Sequence, residues 1–520
     1  APTLAGMLGL GAGIDYALLL AARQQEELRA GHPPAEAARR ANATAGHSAL
    51  TAAGIVLVSL AGLIVTGIPF VGRVGVAAGV VVLACAALCI VLLPARFAAS
   101  GRRLLPRRER AIGGDERTAE SGRRLLPRRE RAEGGDERTA RRGRRLLPRR
   151  ARAVRGDQRT APRRPWATRR PGLALVAAGA VTVALAAPAA GLELGQPDDR
   201  NLGADATQRQ AYDRLAAGFG AGVNGPLVVA VALPDRDADR ALDRLGARLT
   251  TDREVAGVSA PVVNERRDAA VITVTPHHGP QDDSTRALVD RLRADAIPSA
   301  LHGTGATAYV GGRTARFGDE AGRIASRIPV FAAAVVGLSL LLLLAAFRSW
   351  RIAAVSAVFN LASIAAAYGV IALAFQTDAG ARLLGVEQLP VVPYVPLFMF
   401  AILFGLSTDY NVFLLSRVRE EWSRHADHRA AIAAASAGTR RIVTAAGGIM
   451  IAVFLGFATD PDPVIKMTGV GLAAAVLVDV TLVRLLMAPA ALTLLGDRLW
   501  PDRRGRHAAH RVARAQESAS

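Results

Sequence analysis

The chain has 520 residues, 51% of them hydrophobic, a formal charge of +21 and two cysteines. The apolar residues gather in long runs with few charges, which excludes an ordinary water-soluble fold and points to a membrane protein. The charge is local: 101–163 holds 22 Arg against 9 acidic residues, whereas the longer stretch 192–327 holds 17 Arg against 19. That asymmetry excludes a uniformly basic nucleic-acid binder and matches Arg-rich loops kept on one side of a bilayer.

A membrane helix needs about 20 apolar residues to cross roughly 30 Å of hydrocarbon. Nine segments meet this: 4–22, 48–68, 74–97, 173–191, 328–347, 352–375, 395–416, 442–458 and 467–495. If they alternate, every strongly basic loop falls on one side, which positive-inside accounting makes the cytoplasm of a multi-pass plasma-membrane protein. The expected plan is three membrane helices in 1–97, a flexible cytoplasmic loop in 98–171, a membrane helix in 172–191, an exported domain in 192–327, further membrane helices in 328–496, and a flexible tail in 497–520. The abundance of Arg and Ala beside one lysine, Lys466, reads as the codon bias of a high-GC, actinobacterial-type genome. With no initiator Met and an apolar run at the outset, the chain reads as an excerpt of a longer protein.

Cys85 and Cys89 lie one turn apart in the third run and read as small core or lipid-facing residues, without the further thiols a metal or disulfide framework needs. The loop after it holds three 21-residue repeats starting at Gly101, Gly122 and Gly143, among them GRRLLPRRERAIGGDERTAES. They are too polar and too rich in Gly and Pro to bury a core. Contact with anionic head groups is one reading, and neutral expansion of a tolerant loop is the favoured one. Nucleic-acid binding is disfavoured, since no aromatics are interleaved for base stacking. In the exported stretch, apolar runs at 227–233, 255–259, 269–274 and 307–310 read as strands, and amphipathic runs at 237–249 and 283–294 as helices. The order is that of a ferredoxin-like α+β unit, which fixes architecture but not function.

The informative side chains are acids inside membrane segments. Asp15 sits in GAGIDYALLL beside Tyr16, and Asp409 in GLSTDYNVFLLSR beside Tyr410. An Asp at the bilayer centre costs about 2.5–3.5 kcal/mol on insertion scales, so each should face the bundle interior. Gly11 and Gly405 precede the two acids by four residues and offer a bare patch for close helix approach. If the two helices meet, desolvation and like-charge repulsion would give a group that exchanges a proton near neutral pH. Asp479 and Arg484 in the last run are expected to serve structural ion pairing; five residues apart on an α-helix they are offset, which leaves partners on other helices or snorkelling open. His47, His277 and His278 lack ligand spacing. With no nucleophile elbow, phosphate loop or HExxH, neither an enzyme nor an ATP-driven pump is indicated, and no cofactor or metal.

The two Asp-Tyr helices, together with DYNVFLLSRVREEW, TAAG at 444–447, GVGLAAAVLVDVTLVRLLMAPA and GGRTA at 311–315, resemble the MMPL branch of the RND superfamily. The resemblance implies that 4–22 corresponds to helix four and 467–495 to helix twelve of a twelve-helix bundle. It also implies that Asp15, Tyr16, Asp409 and Tyr410 relay protons, and that the protein is a secondary transporter exporting a lipid or other amphiphile. Partners would be protons, membrane lipids and that substrate, with a homo-oligomer compatible. TAAG recurs at 51–54, and Pro489 answers Pro94, as a duplicated bundle requires. Asn411 stands where the family commonly has Glu, which removes a third carboxylate from the relay. A membrane scaffold or assembly factor without coupled transport is the alternative, and a relative that assists protein export is a third.

Overall fold

The computed structural model describes residues 2–101, 166–234, 237–424 and 428–496. The Arg-rich repeats, apart from Gly101, and the tail expected to be flexible lie outside the described residues. Helix α1 (Pro2–Arg29) turns back through a short link in which Gln24 Nε2 donates to the Pro34 carbonyl at 3.3 Å. From there α2 (Pro34–Ala41) runs through a π turn into α3 (His47–Ala61) and a closing 3₁₀ turn to Thr66. Gly67, at φ 68°, ends that rod in the left-handed region and Pro69 opens α4 (Pro69–Ser100), the usual Gly-then-Pro punctuation between helices.

Short α5 (Trp166–Arg169) precedes α6 (Pro171–Ala186), which leads to the α+β part of the chain. There α7 (Thr207–Phe219), β1 (Leu227–Ala232), α8 (Ala238–Thr250), β2 (Val255–Val258), β3 (Val262–Val263), β4 (Ala269–Pro276), α9 (Asp283–Arg291), α10 (Ile297–Leu301) and β5 (Thr307–Gly311) follow in order. The return is made by α11 (Arg313–Phe347), α12 (Trp350–Gln376), α13 (Asp378–Leu384), α14 (Tyr394–Arg424), α15 (His428–Phe457), α16 (Pro463–Val478), a π segment (Asp479–Met487) and α17 (Ala488–Leu495).

Among the described residues seven helical stretches are long and apolar enough to cross a membrane: Pro34–Thr66, Pro69–Ser100, Pro171–Gly191, Arg313–Ala345, Trp350–Gln376, His428–Phe457 and Pro463–Leu495. The other two expected spans fall on α1 and α14, of which Tyr394–Ser407 is the apolar part. Only 17% of the apolar window of Pro171–Gly191 is buried against 56% for Trp350–Gln376, so α6 is peripheral and α12 central. Exposed Val176 and Val183 on α6, Val91 on α4 and Leu341 on α11 would be costly in water and suit acyl chains.

Contacts between the two related halves are reciprocal. Helix α1 packs on α4 and on α15 of the second half, while α14 packs on α15 and on α3 of the first. A common core runs through these helices and α11, with Met7, Val56, Phe331, Phe404 and Phe454 almost fully buried.

The sheet of the α+β part has strand order β2-β4-β1-β5 with β3 added on β4, and every pair is antiparallel. Alternation fixes its buried face: Leu227, Val229 and Val231 with Ala270, Ile272 and Val274 pack on Leu245 and Leu249 of α8 and Leu288 and Leu292. The two-residue β3 was not expected from sequence, since Val262–Val263 is too short to show alternation. The second amphipathic stretch also runs further than its periodicity indicated, through a π turn into α10.

Candidate relay helices and exported-domain cavity

Asp15 and Tyr16 are buried, at 8% and 2% relative exposure, midway along α1. Small residues on two faces hold that helix. A Cβ on Gly9 would lie 2.5 Å from Val81 Cγ1 of α4, and Cys89 of α4 donates its thiol to the Gly13 carbonyl at 3.5 Å. Gly11 faces elsewhere, with its virtual Cβ 3.2 Å from the ring of Phe454 on α15. Gly405 of α14 meets α3: a Cβ there would come within 2.9 Å of Val56 Cγ2 and 3.0 Å of Val56 Cα. The two glycines thus seat their helices on equivalent helices of the opposite half, rather than on each other. Asp409, Tyr410 and Asn411 lie on α14 one turn beyond Gly405, and their side chains fall outside the described residues. Helices α1 and α14 are joined further along by Arg417, whose Nη2 donates to Glu26 at 2.9 and 3.0 Å.

Asp479 and Arg484 pair with each other and also reach α14 through Ser407: Arg484 Nε donates to Asp479 Oδ2 at 2.6 Å. On an α-helix a five-residue separation turns through about 140°, but both residues lie in the π segment, whose i→i+5 repeat brings them onto one face. The Ser407 hydroxyl lies 3.0 Å from Asp479 Oδ1 and 2.7 Å from Asn360 Oδ1, and Arg484 Nη2 donates to the Ser407 carbonyl at 2.9 Å. A void of about 20 Å³ between Asn360, Ser407 and Asp479 has room for one water. Sequence reading missed Asn360 and Ser407. The signal was present for Asn360, an amide in the middle of an apolar span, whose uncompensated burial is costly.

A cavity of about 490 Å³ opens where the α+β part joins α11. The motif GGRTA builds the joint. Gly311 ends β5, and Gly312 adopts φ 91°, ψ 171°, a region essentially closed to side chains. The Thr314 hydroxyl donates to the Gly225 carbonyl at 3.1 Å, and Arg313 lies over the Phe317 ring. Gly318 and Gly322, on the cavity side of α11, have nothing within 4 Å of a virtual Cβ. Facing them are Arg286, Gln281, Tyr212 and Asp198. Burial pushes the Asp198 carboxyl above its ordinary range and the Tyr212 phenol up to about 12. The chamber therefore combines cationic and hydrogen-bonding groups with apolar wall.

Residues 1–154 and 201–518 match the MMPL family. Membrane protein YdfJ of Bacillus subtilis is 32% identical over 96% of this chain and 63% of its own length. The mycolic acid-containing lipids exporter MmpL11 of Mycolicibacterium smegmatis is 30% identical over 95% of this chain and 48% of its own. The chain thus spans between about half and two thirds of the length of these relatives. A solved structure of SecDF aligns over 98% of this chain and 56% of its own at 17% identity and a TM-score of 0.45, a likeness too distant to argue from. The extent of the family match shows that the chain is a multi-pass membrane protein of the MMPL family of RND-superfamily transporters.

Proposed function

We propose that this protein is a secondary transporter that uses the proton gradient to export a lipid or other amphiphile across the plasma membrane. The observation that carries the reading is the burial of Asp15 and Tyr16 in α1, on a helix seated by Gly11 against the opposite half just as Gly405 seats the helix of Asp409 and Tyr410. Protons would bind and leave at these two acids, with the neighbouring phenols as hydrogen-bond partners. An acid that loses its charge on protonation changes the electrostatic cost of its buried setting, and that change can drive helix movement.

The exported part, read as a ferredoxin-like porter unit, would receive the amphiphile in the cavity above α11, where Arg286 and Arg313 suit an anionic or hydroxyl-rich head group. Lipid export by MmpL11 of M. smegmatis supports the substrate class. Asp409→Asn and Asp15→Asn, expressed from the protein's own gene in a strain lacking it, should abolish appearance of the exported lipid at the cell surface while the protein stays in the membrane. Undiminished export by either variant would refute proton coupling at these acids and leave the scaffold reading in its place.

A further inference from the structure

We propose that a cleft on the cytoplasmic side of the bundle, between α15 and the π segment, binds an anionic phospholipid of the inner leaflet. The cleft has a volume of about 340 Å³, within the range of small-molecule sites. One wall is a single stripe of α15, Ser436, Thr439, Arg440 and Val443, at the i, i+3, i+4, i+7 spacing of one helical face. The opposite wall includes Thr481, Leu485 and Pro489, with Leu414 of α14 between them. Trp166 of α5, half exposed, closes the cytoplasmic end at the level where tryptophan favours the head-group region.

Three features select the occupant. The surface is chiefly apolar, which suits acyl chain better than bulk water. Its charged lining residues, among the described residues, are Arg440 and Arg484, with no acid. Arg484 is engaged by Asp479 and Ser407, so the exposed Arg440 at the rim is the cation placed for a phosphate. The Ser436 hydroxyl, in a residue only 8% exposed, is buried without a hydrogen-bond partner and lines this space. A buried hydroxyl left unsatisfied is uncommon, and a lipid phosphate or ester oxygen would complete it. Positive-inside orientation puts the cleft at the inner leaflet, and the proposal holds whatever the protein exports.

The test is native mass spectrometry of the full chain extracted from bilayers of equal parts phosphatidylglycerol and phosphatidylcholine. The wild type should retain phosphatidylglycerol in preference. Arg440→Gln should reduce that preference about fivefold, the factor one arginine near an anionic bilayer surface supplies. Arg441→Gln, one residue off the stripe, should leave it unchanged. Thr481→Phe, at an exposed lining position that tolerates bulk, should displace the lipid without unfolding the chain. Equal retention of the two lipids by the wild type would overturn the proposal. So would equal effects of Arg440→Gln and Arg441→Gln, which indicate diffuse surface attraction, or full phosphatidylglycerol retention by Thr481→Phe.

Discussion

Removing Arg484 tests whether the buried polar cluster is mutually compensated. The side chains of Arg484 and Asp479 are 5% and 13% exposed, and their closest atoms are 2.6 Å apart. Unit charges about 4 Å apart attract by about 4 kcal/mol at an effective dielectric of about 20. Truncating one member also leaves the other charge buried without its counter-ion, which typically costs about 3–5 kcal/mol. Arg484→Met and Asp479→Leu should therefore each destabilise the protein by about that much, whereas the double variant, with no charge left to compensate, should lose far less. The assay is unfolding of the purified chain in detergent, analysed as a double-mutant cycle with a coupling of roughly 3 kcal/mol expected. Singles that each cost under about 0.5 kcal/mol and simply add in the double would refute the argument. Export by a stable double variant would further mark the pair as structural, and loss of export without loss of stability would give it a part in coupling.

Gly405→Leu must push α14 off the backbone of Val56 and should cost about 1–3 kcal/mol or more by thermal unfolding; wild-type stability would refute the close seating. Gly322→Phe should behave oppositely, leaving stability within about 0.5 kcal/mol because its virtual Cβ meets open space, yet lowering export by filling the cavity. Unimpaired export would remove that cavity from the substrate path. In the α+β part, Arg291 makes two 3.0 Å hydrogen bonds to Asp252 and holds its carboxyl below the ordinary range. A depressed carboxylate contributes stability that is full above its unfolded value near ~4 and is lost as pH falls through the lower folded value. Arg291→Gln should therefore lower stability at neutral pH and flatten the acid limb of the melting profile, and an unaltered acid limb would count against the pair.

Much of the fold was legible because its signals are local. Runs of apolar residues fell on the long apolar helices, and the apolar runs at 227–233 and 269–274 located the central strands. The sheet's edge extension at Val262–Val263 was not legible, because two residues hold no period and pairing to Ala270 and Val271 decides them. On the two Asp-Tyr helices, sequence indicated that Gly11 and Gly405 allow close approach but not to what. The partners, Phe454 and Val56, are set by how the halves interlock, a property of tertiary assembly. The Asp479–Arg484 pair was legible as residues but not as geometry, because ideal α-helical spacing sets them apart and only the local π repeat brings them together.

That π segment also marks a difference between the two stretches that share the Asp-Tyr, TAAG and proline motifs. Asp15 and Asp409 are 394 positions apart, the TAAG motifs 393 and the two prolines 395. Carried back by any of these offsets, Asp479 falls on Ala84, Cys85 or Ala86, and Arg484 on Cys89, Ile90 or Val91. In the first half those positions lie in a continuous α-helix, with Pro94 accommodated inside α4; there α4 meets the acid-bearing helix through Gly9, Gly13 and the Cys89 thiol. In the second half the equivalent region is a π segment that holds a salt bridge and binds α14 through Ser407, two residues before Asp409.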